Sequence, residues 1–401
     1  MRNSGVARTT AEAARAITIE ALERDPYPIY ARLRRETPVT PVPAANVWFA
    51  TRWDDVETVV KSPALFTAEA ADSPVERSFG SPTILTCEGS VHRELRGGLE
   101  GRYKAREVGT YLDQLARPIA QRVLEDLPRG RPINLMSDYF EPVSALTLAD
   151  TLGLGDFSAD TLLRWFHGLS EGAINYENDP RRHAICMETC AELEGALLPK
   201  LRLLAEEPAD NPLSHMLHFN VPEGQSRPVE QILPSVKVTL LGGMQEPGHG
   251  AGTVFVGLMR DRAQFEAVKD GADMLNRAVN EGLRWVAPIG TQLRTAREDV
   301  EVGGVLVPKG TPVAAILASA NHDESRFSHP ERFDIFRDSR AHAAFGFGNH
   351  FCAGRWFSVA LMEIMLDVLF RAFPDISLID GHDPQFRGWE FRMAPEILVA
   401  L

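Results

Sequence analysis

Two side chains stand out as able to do chemistry in this 401-residue chain, a cysteine and a carboxylate. The cysteine is Cys352, set in the run Phe345-Gly346-Phe347-Gly348-Asn349-His350-Phe351-Cys352-Ala353-Gly354, which opens an apolar stretch from Trp356 to Phe370. A thiol in the first turn of a helix sits beside unpaired backbone N–H groups and the positive end of the helix dipole. Both lower its pKa and favour a metal-binding thiolate. Cys352 is therefore the candidate metal ligand. Gly346 and Gly348 supply loop conformations barred to other residues, and Gly354 removes a side chain that would hold a flat cofactor away from the backbone. The other cysteines, Cys87, Cys186 and Cys190, read as small buried hydrophobes. Cys186 and Cys190, four apart on a helix, make a poor metal site by themselves.

The carboxylate is Glu246, in Val236-Lys237-Val238-Thr239-Leu240-Leu241-Gly242-Gly243-Met244-Gln245-Glu246-Pro247-Gly248-His249, a segment that continues as an apolar helix through Met259. Pro247 has no N–H for the carbonyl of Gly243 and its ring crowds that carbonyl, so the helix is expected to open or kink there. Gly242 and Gly243 leave room beside the kink for water or a diatomic molecule. Desolvation in an apolar pocket raises a carboxyl pKa, which suits Glu246 to move protons near neutral pH. Gln245 cannot carry a proton in that way. The competing reading turns Glu246 away into a salt bridge and leaves the work to water.

Other elements must hold these groups in place. Asp25-Pro26-Tyr27 begins a helix that Thr37-Pro38 ends, and Val47–Thr51 reads as a strand. Asp54 is expected to cap a helix from Val56 to Lys61. The stretch from Thr67 to Gly89 reads as a long loop. His92 and Arg96 lie one turn apart on a helix from Glu88, a spacing that can clamp two carboxylates or simply face solvent. From Tyr111 to Leu204 the pattern is helical, broken at Pro128, Gly153 and Asp179-Pro180, with Trp165, Phe166, Leu169 and Ile174 on an apolar face. A strand follows Pro288, and Val300–Val307 reads as a hairpin turning at Gly303-Gly304.

No linker or repeat divides the chain, so the expectation is a tail over 1–24 and one large unit over 25–401. Its fold class is mainly α with small β-sheets (α+β). A net charge of -13 argues against a nucleic-acid partner. Met1–Ala21 lacks the apolar core of a signal peptide or membrane anchor, and four irregularly spaced cysteines suit a reducing compartment, so a cytoplasmic location is expected.

The cysteine loop resembles that of the cytochrome P-450 family, the haem-thiolate monooxygenases, matching F-G-x-G-x-H-x-C-x-G at every fixed position. The resemblance extends over about Asp25 to Leu401. It implies a helical body with a β-rich lobe and one haem b bound through Cys352. His92, Arg96, Arg294 and His350 would hold the propionates, and Phe345, Gly346 and Gly354 would pack against the cofactor. Glu281 and Arg284, alone an ordinary ion pair, would join Arg332 in a structural network behind the loop. The helix through Met259 is similar to the family's long central helix, but Gln245-Glu246 stands where an acid–alcohol pair usually supplies protons for cleaving O2. The catalytic segment is thus expected to be Gly243, Gln245 and Glu246, with Glu246 as the acid and peroxide as an alternative oxidant.

Phe166, Val238, Leu241, Gly242, Ile289, Thr291 and Phe391 are the expected substrate contacts. The segment Gly242-Gly243-Met244-Gln245-Glu246-Pro247, with Phe166, Val238, Leu241, Thr291 and Phe391, resembles that of bacterial members that O-demethylate guaiacol-like methoxylated phenols, with a flat ring held between phenylalanines and formaldehyde as the by-product. Hydroxylation of a terpenoid or polyketide is the alternative, and a haem-binding sensor is the non-enzymatic one. No flavin or nicotinamide fingerprint is present in the sequence. Electrons would therefore come from a separate protein, a ferredoxin with its reductase or a fused iron-sulfur flavin reductase. Arg93, Arg96, Arg102, Lys104, Arg106 and Arg355 would form the docking face, or be ordinary solvated charges.

Overall fold

The computed structural model describes residues 16–70, 72–269, 271–338 and 341–401. Most of the expected tail, 1–15, lies outside the described residues. In chain order the helices are α1 (Ile19–Arg24), α2 (Tyr27–Glu36), α3 (Trp53–Lys61), α4 (Pro74–Phe79), α5 (Gly89–Glu100), α6 (Ala105–Glu125), α7 (Glu141–Leu152) and α8 (Ala159–Ala173). They continue as α9 (Pro180–Glu206), α10 (Pro212–His218), α11 (Val229–Met259), α12 (Arg262–Lys269), α13 (Ala272–Trp285), α14 (Leu317–Ala320) and α15 (Arg355–Ala372). The strands are β1 (Val39–Val42), β2 (Val47–Ala50), β3 (Phe66–Thr67), β4 (Ile133–Asn134), β5 (Thr291–Ala296), β6 (Val300–Val302), β7 (Val305–Val307), β8 (Pro312–Ile316) and β9 (Leu398–Val399). The class is mainly helical with small sheets, as expected.

Local chemistry accounts for many helix starts. Ser73, Ser158, Asp179 and Asn211 each accept a backbone N–H from the first turn of the helix they precede, and proline opens α4, α9 and α10. Two expectations fail at this level. Helix α3 begins at Trp53 after Arg52, so Asp54 lies inside its first turn, where a carboxylate still favours the dipole. The stretch 67–89 is not one loop, because the Ser73 cap and Pro74 start α4 and Gly80, at φ 85°, ends it.

The largest sheet runs β1-β2-β8-β5-β3, with β2 and β8 parallel and its other pairs antiparallel. Strand β5 enters the sheet at Thr291, opposite Ile316. Just before it, Ile289 bridges Phe391, and Gly290 donates to the carbonyl of Glu390 at 2.7 Å. The C-terminal turn is thereby zipped to the start of β5. Only glycine fits at 290, since a Cβ there would lie 2.0 Å from the carbonyl oxygen of Trp389.

Helix α11 is buried along nearly its whole length and lies against α7, α13 and α15, as its all-round apolar sequence requires. Its glycines set the spacing. Added Cβ atoms would meet Leu148 at 2.7 Å from Gly243, the Phe140 carbonyl at 3.0 Å from Gly248, Met362 at 2.4 Å from Gly250 and Met136 at 2.4 Å from Gly252. The expected opening at Pro247 is not an interruption, for α11 continues through Pro234 and Pro247 alike. Each proline removes one backbone bond while neighbouring turns and tight packing keep the helical path.

Candidate functional site

The cysteine loop closes on itself through its backbone. Cys352 donates its N–H to the carbonyl of Phe345 at 2.9 Å, with Gly346 at φ 70° and Gly348 at φ 68° making the turn. Both glycines are also hemmed in, by the Gln292 amide and the Val60 carbonyl. Helix α15 begins only at Arg355, so Cys352 stands before its first turn, not within it. Burial pushes the thiol up to about 12, and the charge of Glu246 adds to this. The Gly354 amide and the guanidinium groups of Arg96 and Arg355 pull the other way and are outweighed. The lowered thiol pKa expected from the helix end is therefore reversed within the protein's own groups. A bound cation is what would favour the thiolate here.

Cys352 lines a cavity of about 290 Å³ open to the centres of water-sized molecules. Gly354 lines it too, and a Cβ there would meet nothing nearer than the Cys352 sulfur at 4.0 Å, which leaves space for a flat group. Phe345, Gly346, Arg96, Arg294 and His350 share this wall. His92 stands just behind it, its ring centroid 4.1 Å from that of His350. The cluster is rich in donors and poor in acceptors. His92 Nε2 and His350 Nε2 are buried without a hydrogen-bond partner. Burial and nearby Arg294 and His92 push the His350 pKa down to about 3, and burial lowers Arg294 to about 10. Desolvation, then Arg96, lowers His92. Arg96 donates to the Phe351 carbonyl and pairs with Glu100. Buried imidazole nitrogens left unpartnered beside two guanidinium groups fit two anionic oxygen groups, whose negative charge would favour protonating the rings, so the residues present suit the carboxylates of a haem.

Across the cavity, α11 contributes Val238, Leu241, Gly242, Gly243 and Glu246. Glu246 folds back over Gly242, whose added Cβ would lie 3.4 Å from the Glu246 Oε1. Desolvation raises its carboxyl pKa to about 7, and no ion pair holds it among the described residues. Gln245 points elsewhere: it is fully buried, off the cavity wall, and neither end of its amide has a partner. Gly243 touches the wall but serves chiefly as the seat for Leu148.

Ile289, Thr291 and Phe391 complete the far wall. Phe166 is not among the lining residues. It lies on α8 against the back of α11, edge-on to His249 with ring centroids 5.7 Å apart. Behind α11, His249 Nε2 meets Glu141 Oε1 at 3.0 Å, and exposed His167 meets Glu141 Oε2 at 3.4 Å. Sequence reasoning missed this cluster and its buried Glu141–His249 pair, because the two lie far apart in the chain. It also missed Glu390, beside Thr291 on the cavity wall.

The Glu281–Arg284 pair behind the loop is buried, at 2.8 Å. Its second arginine is Arg337, with Nε 3.3 Å from Glu281 Oε1, and not the expected Arg332. Arg332 gives only its carbonyl to Arg284, at 2.8 Å, while its side chain turns to solvent beside Glu331. Among the charges expected on a docking face, Arg93, Lys104 and Arg106 are exposed, whereas Arg102 stacks on Tyr111 and Arg355 lies over Phe351 and Trp356. No helix among the described residues is long and apolar enough to cross a membrane.

A family model described as Cytochrome P450 matches residues 264–387, the span holding the Glu281–Arg284 pair and the cysteine loop. The chain is similar to 6-deoxyerythronolide B hydroxylase of Saccharopolyspora erythraea, 27% identical over 92% of this chain and 95% of that one. It is also similar to linalool 8-monooxygenase of Pseudomonas putida, 28% identical over 86% and 87% of the two chains. Among solved structures, P450BioI in complex with an acyl carrier protein superposes with a TM-score of 0.84 over 95% of this chain and 100% of that one. At 20% identity that likeness concerns the fold. Loop, fold and relatives agree in likening the chain to the cytochrome P450 monooxygenases, a family whose cofactor is haem b.

Proposed function

We propose that this P450 hydroxylates a C–H bond of a bulky, largely apolar molecule of terpenoid or polyketide kind. The observation that carries the reading is the cavity wall, where Ile84, Leu148, Val238, Leu241, Ile289 and Leu293 supply mostly branched aliphatic surface. Such a wall grips a three-dimensional hydrocarbon frame better than a flat ring. The hydroxylase and monooxygenase named above support the same choice. O-demethylation of a guaiacol-like phenol rested on a ring clamped between Phe166 and Phe391, and Phe166 faces away from the cavity.

In this reading Cys352 ligates the haem iron. His92, Arg96, Arg294 and His350 hold its propionates, and Phe345, Gly346 and Gly354 flank its face. Bound haem supplies the chemistry that inserts one oxygen atom of O2 into the substrate and releases the other as water. Glu246 holds the proton on the opposite side: a carboxyl with a pKa of about 7 is poised to give one up and regain it near neutral pH. Val238 and Leu241 keep bulk water from the reacting carbon, and Ile289, Thr291 and Phe391 orient the substrate. Electrons and O2 come from outside the chain, the electrons from a separate redox protein docking near Arg93, Lys104 and Arg106.

The test is a spectral screen of the haem-loaded protein for ligand-induced loss of iron-bound water, over guaiacol and simple aryl ethers on one side and bulky terpenes and macrolactones on the other. A response to the second set alone is expected. A response to guaiacol alone would overturn the reading and restore O-demethylation.

A further inference from the structure

The cavity holds two carboxyl groups among the described residues that line it, Glu246 and Glu390. The second has no place in the chemistry derived so far. Glu390 sits in the C-terminal turn, 8% exposed, and its Oε1 accepts the Thr291 hydroxyl at 2.9 Å. Its Oε2 is buried with no hydrogen-bond partner. Tyr176 adjoins both groups and also lines the cavity. Burial pushes the Glu390 carboxyl up to about 7 against hydrogen bonds from Thr291 and the nearby Tyr176 phenol, and Glu23 adds to the rise, while the phenol, which an arriving hydroxyl would draw off the carboxyl, is held protonated by its own burial.

Fold stability does not explain this acid. The turn is already joined to β5 by backbone bonds, Gly290 N–H to the Glu390 carbonyl at 2.7 Å and Arg392 N–H to the Pro288 carbonyl at 3.0 Å, and by the Ile289–Phe391 bridge. A leucine at 390 would preserve all three. Burying a carboxyl with an unused oxygen is unfavourable unless something meets it.

We infer that Glu390, with Thr291 and Tyr176, forms a polar anchor that binds a hydroxyl group carried by the otherwise apolar substrate. The inference rests on the hydroxylase reading above and narrows its substrate class. A hydroxyl both donates and accepts, so it can give its proton to Glu390 Oε2 and take one from the Tyr176 phenol; an ammonium offers no acceptor for the phenol. A carboxyl already close to neutral gives up less by meeting an alcohol than by being forced into a buried ion pair. The reaction then adds a second oxygen function to a molecule that already carries one. Some earlier step must have installed or retained that alcohol.

The test uses calorimetric titration of the haem-loaded protein with menthol, its parent hydrocarbon p-menthane and protonated menthylamine, in the wild type, Glu390→Gln and Glu390→Leu. The haem absorbance of each variant serves as the check that it has folded. The quantity read is the preference for menthol over p-menthane. It is expected to fall about tenfold in Glu390→Leu, as loss of one buried hydrogen bond implies, and less than about threefold in Glu390→Gln, which keeps an acceptor. An unchanged preference in Glu390→Leu overturns the anchor while leaving the hydroxylase reading standing, since both ligands still bind. A Glu390-dependent preference for menthylamine over menthol overturns the hydroxyl assignment. If none of the three binds the wild type, the hydroxylase reading falls and the anchor falls with it.

Discussion

Helix α11 has a buried carboxyl group on each of two sides, and the two behave oppositely. Toward the cavity, desolvation alone lifts the Glu246 pKa to about 7. On the back, Glu141 is 4% exposed. Burial would raise it as well, but hydrogen bonds from His167 and His249 hold it down to about 2. Depth therefore does not decide the charge of a carboxyl here; its partners do. The partnered acid ties α7 and α8 to α11, and the unpartnered one is free to exchange a proton.

The strongest way to break the contrast is to remove the partnered acid. Glu141→Leu leaves buried His249 without its acceptor and is expected to cost about 3 kcal/mol or more in unfolding free energy, read by denaturant titration. Next comes the unpartnered acid. Glu246→Ala is expected to lower product formed per electron consumed, and peroxide-driven turnover, by about 100-fold, the scale of a lost general acid, with little loss of stability. Unchanged values in both assays would remove Glu246 from the chemistry.

The acidity of the medium sharpens the contrast further. The folded pKa of Glu141 is depressed, so its contribution is complete above its ordinary value of 4.5 and is lost as pH falls toward about 2. The folded pKa of Glu246 is raised, so its contribution is complete below 4.5 and is lost as pH rises through about 7. Glu246→Gln should thus match the wild type near pH 4.5 and exceed it by about 3 kcal/mol above pH 8, measured by chemical unfolding at a series of pH values. The smallest effect expected is that of His167→Gln. This half-exposed partner should matter by less than about 1 kcal/mol, and its loss should raise the acid midpoint of Glu141 slightly in the same titration.

The contrast also shows where the chain could be read in advance. The cysteine loop was legible because its glycines, histidine and cysteine are neighbours in sequence and act within one turn of backbone. The Ser73-Pro74 helix start was taken for part of a long loop, because the surrounding Ala, Ser and Pro residues hide its short turn of helix. Phe166 was misplaced because helical spacing shows that a face is apolar, not which partner covers it. Arg337 was missed in favour of Arg332 because the choice depends on how the segment after Pro330 wraps back on Glu281. Glu141 with His249, and Glu390 with Thr291, each join residues about a hundred positions apart. Nothing local announces such pairs.

The glycines of α11 bear on how such an enzyme can be altered. At Gly248 a methyl group would press on the backbone carbonyl of Phe140, and at Gly243, Gly250 and Gly252 it would push aside the ends of Leu148, Met362 and Met136, so the central rod is closely fitted to the helices around it. Changes of appetite, whether by natural drift or in the laboratory, are better sought where Ile289 meets Phe391, along a seam whose side chains can be exchanged without moving the backbone that bears them.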